Sequence, residues 1–96
     1  MPHSVLTTEK GVCYVCQKRT YTEKHHIFMN ALRNTSEDMG LYVYLCPEHH
    51  RGTNGVHGMN GGNLNHDLKQ MSQYMWEQIE GNTREEWMKR IGRNYL

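Results

Sequence analysis

Apolar positions along the chain follow two different periods. "LYVYLC", residues 41–46, is a continuous run of apolar, β-branched and aromatic residues, the composition of a strand. From about Asn63 the spacing changes. Leu64, Leu68, Met71, Met75 and Ile79 recur at steps of three and four, which predicts one apolar face of a helix ended by Gly81. Met71 and Met75 on that face, with Trp76, are expected to fill the core. "TREEWMKRIG" then opens with a capping box from Thr83 to Glu86 and stops at Gly92, predicting a second short helix that presents Trp87, Met88 and Ile91 to the core.

The first half is punctuated differently. "VCYVCQKRTYT" reads as a knuckle, a tight turn between two cysteines, running into a short extended segment through "TEKHHIF". "MNALRNTSEDMG" is long and polar for a hairpin loop and can hold a helical turn capped by Ser36. "HHRGTNGVHGMNGGN" is so rich in Gly and Asn that only short or irregular structure is expected there. The order is knuckle, strand, loop, strand, loop, helix, helix. It predicts one α+β domain over residues 12–96, an antiparallel hairpin with C-terminal helices, behind a flexible leader at 1–11.

Composition makes that domain marginal on its own. The chain has 96 residues, 36% of them hydrophobic, with a single Phe, and so short a chain needs a staple beyond its apolar core. The net charge of +1 gives no global attraction to nucleic acid or anionic membrane. There is no apolar stretch near the roughly twenty residues of a membrane span, and "MPHSVLTTEK" lacks a signal peptide's apolar core. A soluble, cytoplasmic protein is expected. Three cysteines, an odd number with two residues between Cys13 and Cys16, favour metal over a disulfide framework.

Cys13, Cys16, Cys46 and His49 form two ligand pairs, each with two intervening residues, the spacing of a closed tetrahedral structural zinc site. That leaves His50 free for other work. His25 and His26 are also adjacent, but on an extended segment, where successive side chains face opposite ways. Only one of that pair can share a shell with His50. His3 and His66 are expected at the surface.

"CYVC" at 13–16, "HHIF" at 25–28 and "LCPEHH" at 45–50 resemble, in order and approximate spacing, the zinc-knuckled branch of the HNH endonucleases. "SEDMGLYVYLCPEHH", "GVH" and "GRNYL" are similar to a subgroup of small HNH proteins common in phages and prophages, so the resemblance covers about residues 12–96. It implies a ββα-metal fold in a protein working in a bacterial host. It also assigns roles: His25 and His50 on a catalytic divalent ion with His57 as third ligand, and His26 as general base. The family usually carries an asparagine just before its second strand. Here the chain reads "DMGLYVY", so orienting the base falls to a backbone group or to Asn30 or Asn34.

The implied chemistry is phosphodiester hydrolysis to a 5′-phosphate and a 3′-hydroxyl. Imidazole, with an ordinary pKa of about 6.5, suits proton abstraction from water near neutrality. An imidazole-rich site favours Zn2+, Ni2+, Mn2+ or Co2+, with Mg2+ open through its abundance. Lys18, Arg19, Lys24, Arg33 and Arg51 cluster in sequence around the histidines as candidate DNA contacts, with Lys89, Arg90 and Arg93 near the end. The near-neutral charge points to weak binding by the chain alone, and double-strand cutting would call for a homodimer, a protein partner or successive nicks. A different class is a non-catalytic zinc-stapled module that binds DNA or protein. It would need only the Cys/His49 set, whereas this chain also carries His25, His26, His50 and His57.

Overall fold

Strand-forming residues on both sides of the "MNALRNTSEDMG" loop do pair. In the computed structural model, which describes residues 3–53 and 55–96, β1 (Glu23–His26) runs antiparallel to β2 (Tyr42–Leu45). The register sets Glu23 opposite Leu45, His25 opposite Val43 and His26 opposite Tyr42. Helices complete an α+β architecture.

The connection between the strands is helical rather than loose. A 3-10 turn (Asn30–Leu32) leads into α1 (Arg33–Asp38). Ser36 does not cap this helix; it lies inside α1, fully buried. Its hydroxyl accepts from the Phe28 amide at 3.2 Å and donates to the Leu41 carbonyl, clasping the end of β1 to the start of β2. A residue whose sequence position resembles a cap thus serves as a buried clamp.

β2 is buried almost throughout. One reason is that residues 3–11, expected to be a flexible leader, line its outer edge. Ser4 Oγ donates to the Tyr42 carbonyl, the Val5 amide to Gly40, and the Tyr44 amide donates to Thr8 Oγ1, while Leu6 enters the core. The Tyr14 amide of the knuckle takes the Tyr44 carbonyl at 2.8 Å. A sheet of only two strands leaves ladder groups unpaired on β2, and these side chains and backbone groups satisfy them.

α2 (Pro47–Arg51) follows β2 directly, with Pro at its first position, where no amide is required. α3 (Gly62–Glu77) and α4 (Arg84–Arg90) pack against each other and close the core. Thr83 caps α4 by accepting from the Glu86 amide, and Gly92 follows in a left-handed conformation. The buried row of α3 is Leu68, Ser72, Gln73 and Trp76, flanked by Leu64 and Met75. Met71, Ile79 and, on α4, Met88 are exposed instead of buried. The helix is rotated from its apolar stripe because Ser72 and Gln73 find partners inside, Ser72 at the Lys69 carbonyl of its own helix. Gln73 accepts from the Tyr95 amide at 2.7 Å and donates to Asn94 and Glu77, while Trp87 Nε1 donates to the Arg93 carbonyl. The C-terminal segment is thereby bound to α3 and α4. Phe28, Trp87 and Trp76 contact in series through their rings, with centroid separations of 5.6 Å at both steps.

No helix among the described residues is long and apolar enough to cross a membrane. Ser36→Ala, which leaves the Phe28 amide without its hydroxyl partner and the Leu41 carbonyl with the Ile27 amide alone, is expected to lower unfolding free energy by about 1–3 kcal/mol. Urea denaturation followed by circular dichroism measures it, and a wild-type midpoint would contradict the clamp.

Candidate metal centres and active-site cleft

Two groups of ligand-type side chains converge, one on each side of α2, which gives His49 to the first and His50 to the second. Cys13, Cys16, Cys46 and His49 bring one ligand atom each to within 4.8 Å of one another. Backbone geometry sets this up. The Cys13 amide donates to Lys18 and the Gln17 amide to Cys13, with Gln17 left-handed at φ 62°, which folds the knuckle into a tight turn. Cys46 ends β2 as the N-cap of α2, and His49 follows in the first turn, its Nδ1 3.3 Å from Cys46 Sγ and 3.6 Å from Cys13 Sγ.

The thiols are tuned unequally. Burial pushes the Cys13 thiol up, but backbone amides around it outweigh burial and bring its pKa down to about 6. Burial raises that of Cys46, with the neighbouring Cys13 adding to the effect. Three thiols and an imidazole arranged in this way could hold a metal ion, and binding would draw off the remaining protons.

The second group is His25, His50 and His57, whose ligand atoms also lie within 4.8 Å of one another. Their ring centroids are 5.4, 5.1 and 4.8 Å apart pairwise. His25 comes from the core-facing side of β1 and is only 2% exposed, yet neither ring nitrogen has a hydrogen-bond partner. Buried polar atoms are rarely left so. A cation between the three rings would satisfy one of them. Burial first, then the neighbouring His50 and His57, hold the His25 pKa down to about 3, so the ring is neutral and able to act as a ligand near pH 7. His57 is lowered by burial and by His50 as well.

Carboxylates orient two of the working imidazoles. Glu23, two residues before His25 on the same strand face, accepts from His50 Nδ1 at 2.8 Å and from both Nε and a terminal nitrogen of Arg51. Since a carboxylate can only accept, His50 carries its proton on Nδ1, leaving Nε2 as the ligand atom. On the other strand face, His26 Nε2 donates to Glu37 Oε1 at 2.7 Å, and Lys24 pairs with the same carboxylate at 2.8 Å. Glu37 is held below the usual carboxylate range by Lys24 first and His26 next, and Glu23 by His50 first.

Orientation of His26 therefore falls to Glu37 of α1. Asn30 lines the cleft without bonding His26, and Asn34 is exposed. Glu23 and Glu37 had one available signal. In "EKHH" alternation places Glu23 on the face of His25, so a carboxylate near that cluster was legible, though its partner, His50, was not. Glu37 reaches His26 only through the fold of α1.

His25, His26, His50 and His57 share a cleft of about 470 Å³ with Lys24, Met29, Asn30 and Arg33. His26 is the last residue of β1, where the strand face gives way to the cleft. Of the basic candidates, Lys24 and Arg33 line it; Arg51 is engaged by Glu23, and Lys18 and Arg19 stand exposed on the knuckle outside the lining. His66 is exposed on α3 and takes no part in either cluster.

His57 reaches the cluster because its loop folds back on α2: the Val56 amide donates to His49 and the His57 amide to His50. This return needs glycine. A Cβ on Gly58 would collide with the Gly52 carbonyl, and one on Gly61 with that of Gly55. Met59, at the tip, is 93% exposed.

Comparison with protein families, curated proteins and solved structures finds no match to this chain.

Gly61→Ala is expected to displace His57 and weaken divalent-ion binding at the histidines by about 10–100-fold, the scale of losing a supporting contact at a metal site. The cysteine-rich site should keep its ion, and titration calorimetry with Mn2+ separates the two. Acid gives a second expectation. With the histidine site stripped by mild chelation, folded His25 stays neutral down to about pH 3, whereas the unfolded chain takes up that proton near pH 6.5. Its contribution is full above about pH 6.5 and lost as pH falls, because the unfolded state then binds more protons. Urea titrations between about pH 6.5 and 4.5, a window bounded by ordinary His and Glu pKa values, should show this slope in wild type and a shallower one in His25→Phe.

Proposed function

We propose that the chain is a metal-dependent DNA endonuclease or nickase of the HNH type, its small domain a ββα-metal fold stapled by zinc. The observation that carries this reading is the meeting in one cleft of a three-histidine cluster with an orphaned buried member, His25, and a separate histidine, His26, held by a carboxylate. Order along the chain supports it: knuckle, β1 with the histidine pair, β2, a cysteine directly after it, then a helix carrying His49 and His50.

The two donor sets suit different ions. Three thiolates with one imidazole fit Zn2+ in a closed tetrahedron, a structural role. Three imidazoles fit Zn2+, Ni2+, Mn2+ or Co2+ better than Mg2+ and leave coordination positions for substrate. A divalent ion held by His25, His50 and His57 would supply Lewis acidity at the scissile phosphate and at the leaving 3′ oxygen.

The chain's own residues do the rest. Donation of Nε2–H to Glu37 leaves Nδ1 of His26 as the acceptor, free to take the proton of the attacking water. Glu37 fixes that tautomer and stabilises the imidazolium once formed, as a carboxylate does behind a catalytic histidine. In-line attack then yields a 5′-phosphate and a 3′-hydroxyl. Arg33, exposed at the cleft, contacts backbone phosphate, an interaction sensitive to salt and indifferent to sequence. Cutting both strands would take two copies, a protein partner or two successive nicks.

Incubation with supercoiled plasmid and Mg2+, Mn2+, Ni2+ or Zn2+ in turn tests the reading. Wild type is expected to give nicked product, and His26→Ala to reduce it by about 10²–10⁴-fold, the usual contribution of a general base. Glu37→Gln should fall between them, and both variants should keep wild-type metal content. No product with any ion would favour a zinc-stapled binding module, and undiminished cutting by His26→Ala would remove it as the base.

A further inference from the structure

The histidine cleft continues past His57. A second hollow of about 310 Å³ adjoins it, and the two share Met29, Asn30 and His57 as walls, so they form one trough. Beyond His57 the walls include Phe28, Asn65, Lys69 and Tyr95.

The charge of this trough is one-sided. Among the described residues no carboxylate lines either part of it; Glu23 and Glu37 stand behind the histidines, bonded to His50, Arg51, His26 and Lys24. Most other basic side chains near carboxylates are neutralised: Lys24 by Glu37, Arg51 by Glu23, Arg84 by Glu77 and Lys89 by Glu85. Lys69 makes no ion pair among the described residues. Its ammonium lies 5.7 Å from the Phe28 ring centroid and 5.8 Å from that of Tyr95, a cation kept over aromatic faces inside the hollow. Arg33, also without an ion pair among the described residues, lines the main cleft. The histidine cluster therefore lies in a trough with one uncommitted cation in each part.

Such a lining selects an anion that is extended rather than compact. Lys69 and Asn65 stand four residues apart on α3, so an ammonium and an amide face the hollow together. A compact anion at the histidines would leave Lys69 uncompensated. A polyanion passing along the trough would engage both ends.

We propose that the hollow beyond His57 is a nucleotide subsite, in which Lys69 holds the DNA backbone phosphate next to the scissile one. This rests on the nuclease reading above. Anchoring a neighbouring phosphate decides which phosphodiester lies over His26, so Lys69 is a positioning residue, acting on binding and register and not on the proton transfer.

The test uses anisotropy of a short fluorescent DNA duplex against the full-length His26→Ala protein, titrated over a range of salt. Adding Lys69→Gln should weaken binding and reduce the salt slope by about 1, as loss of one phosphate contact does. Lys69→Arg should restore both, and Lys10→Gln, an exposed charge outside the trough, should change neither. Thermal midpoint and metal content are measured on each variant. If His26→Ala binds the duplex and wild type cuts plasmid, an unchanged slope in Lys69→Gln overturns the subsite and leaves the nuclease reading standing. Failure of Lys69→Arg to restore the slope, with fold and metal content intact, also overturns it. No binding and no cutting by any form overturns the nuclease reading and the subsite together.

Discussion

Neighbouring residues on a helix point about 100° apart, and α2 turns that angle into the organising constraint of the molecule. His49 faces the thiols of Cys13, Cys16 and Cys46, and this direction obliges His50 to face the other way, into the cleft. Cys46, at the end of β2, belongs to the first cluster, so the strand, the helix and the knuckle meet at one point. Whatever steadies the cysteine-rich cluster also aims the second histidine of the pair. A five-residue helix would otherwise be a poor support, since it is too short to be stable alone.

The other histidine pair answers to the strand. His25 goes to the buried face and His26 to the cleft at the strand's end, and each face carries its own carboxylate chemistry. His25 itself has neither a carboxylate nor a carbonyl behind it. It is held only by packing, with burial keeping it neutral. The cleft thus combines an imidazole kept neutral by desolvation, one aimed by Glu23 and one aimed by Glu37, three environments for three rings.

Much of this was legible in the residues. The "CYVC" and "LCPEHH" spacings anticipated a Cys3His cluster, and alternation along "EKHH" anticipated that its two histidines would part. The continuous apolar run located β2, the steps of three and four located α3, and the capping box located the short α4. What escaped was carried by polar residues whose partners are remote. Ser36 reads as a cap and is a buried clamp; Met71 reads as core filler and is exposed, because Ser72 and Gln73 are fully buried in its place. The leader reads as loose because Ser4 and Thr8 have no local reason for order; their partners lie 38 and 36 residues away on β2. Glu37 is hidden for the same reason, as a helix between the strands had to form before its carboxylate could approach His26. Local periodicity reports burial of apolar groups and is silent about long-range hydrogen bonds.

The return of the His57 loop has a consequence for how such a protein can diverge. Its shape is enforced by main-chain approach at Gly58 and Gly61 and by amide bonds onto α2, while Met59 projects outward at the tip. Position is therefore encoded in the absence of side chains, and the tip residue contributes nothing to it. Sequence drift can change the tip freely while the glycines stay fixed, so the loop can acquire a new surface, or accept a grafted label or peptide, without moving the histidine it carries.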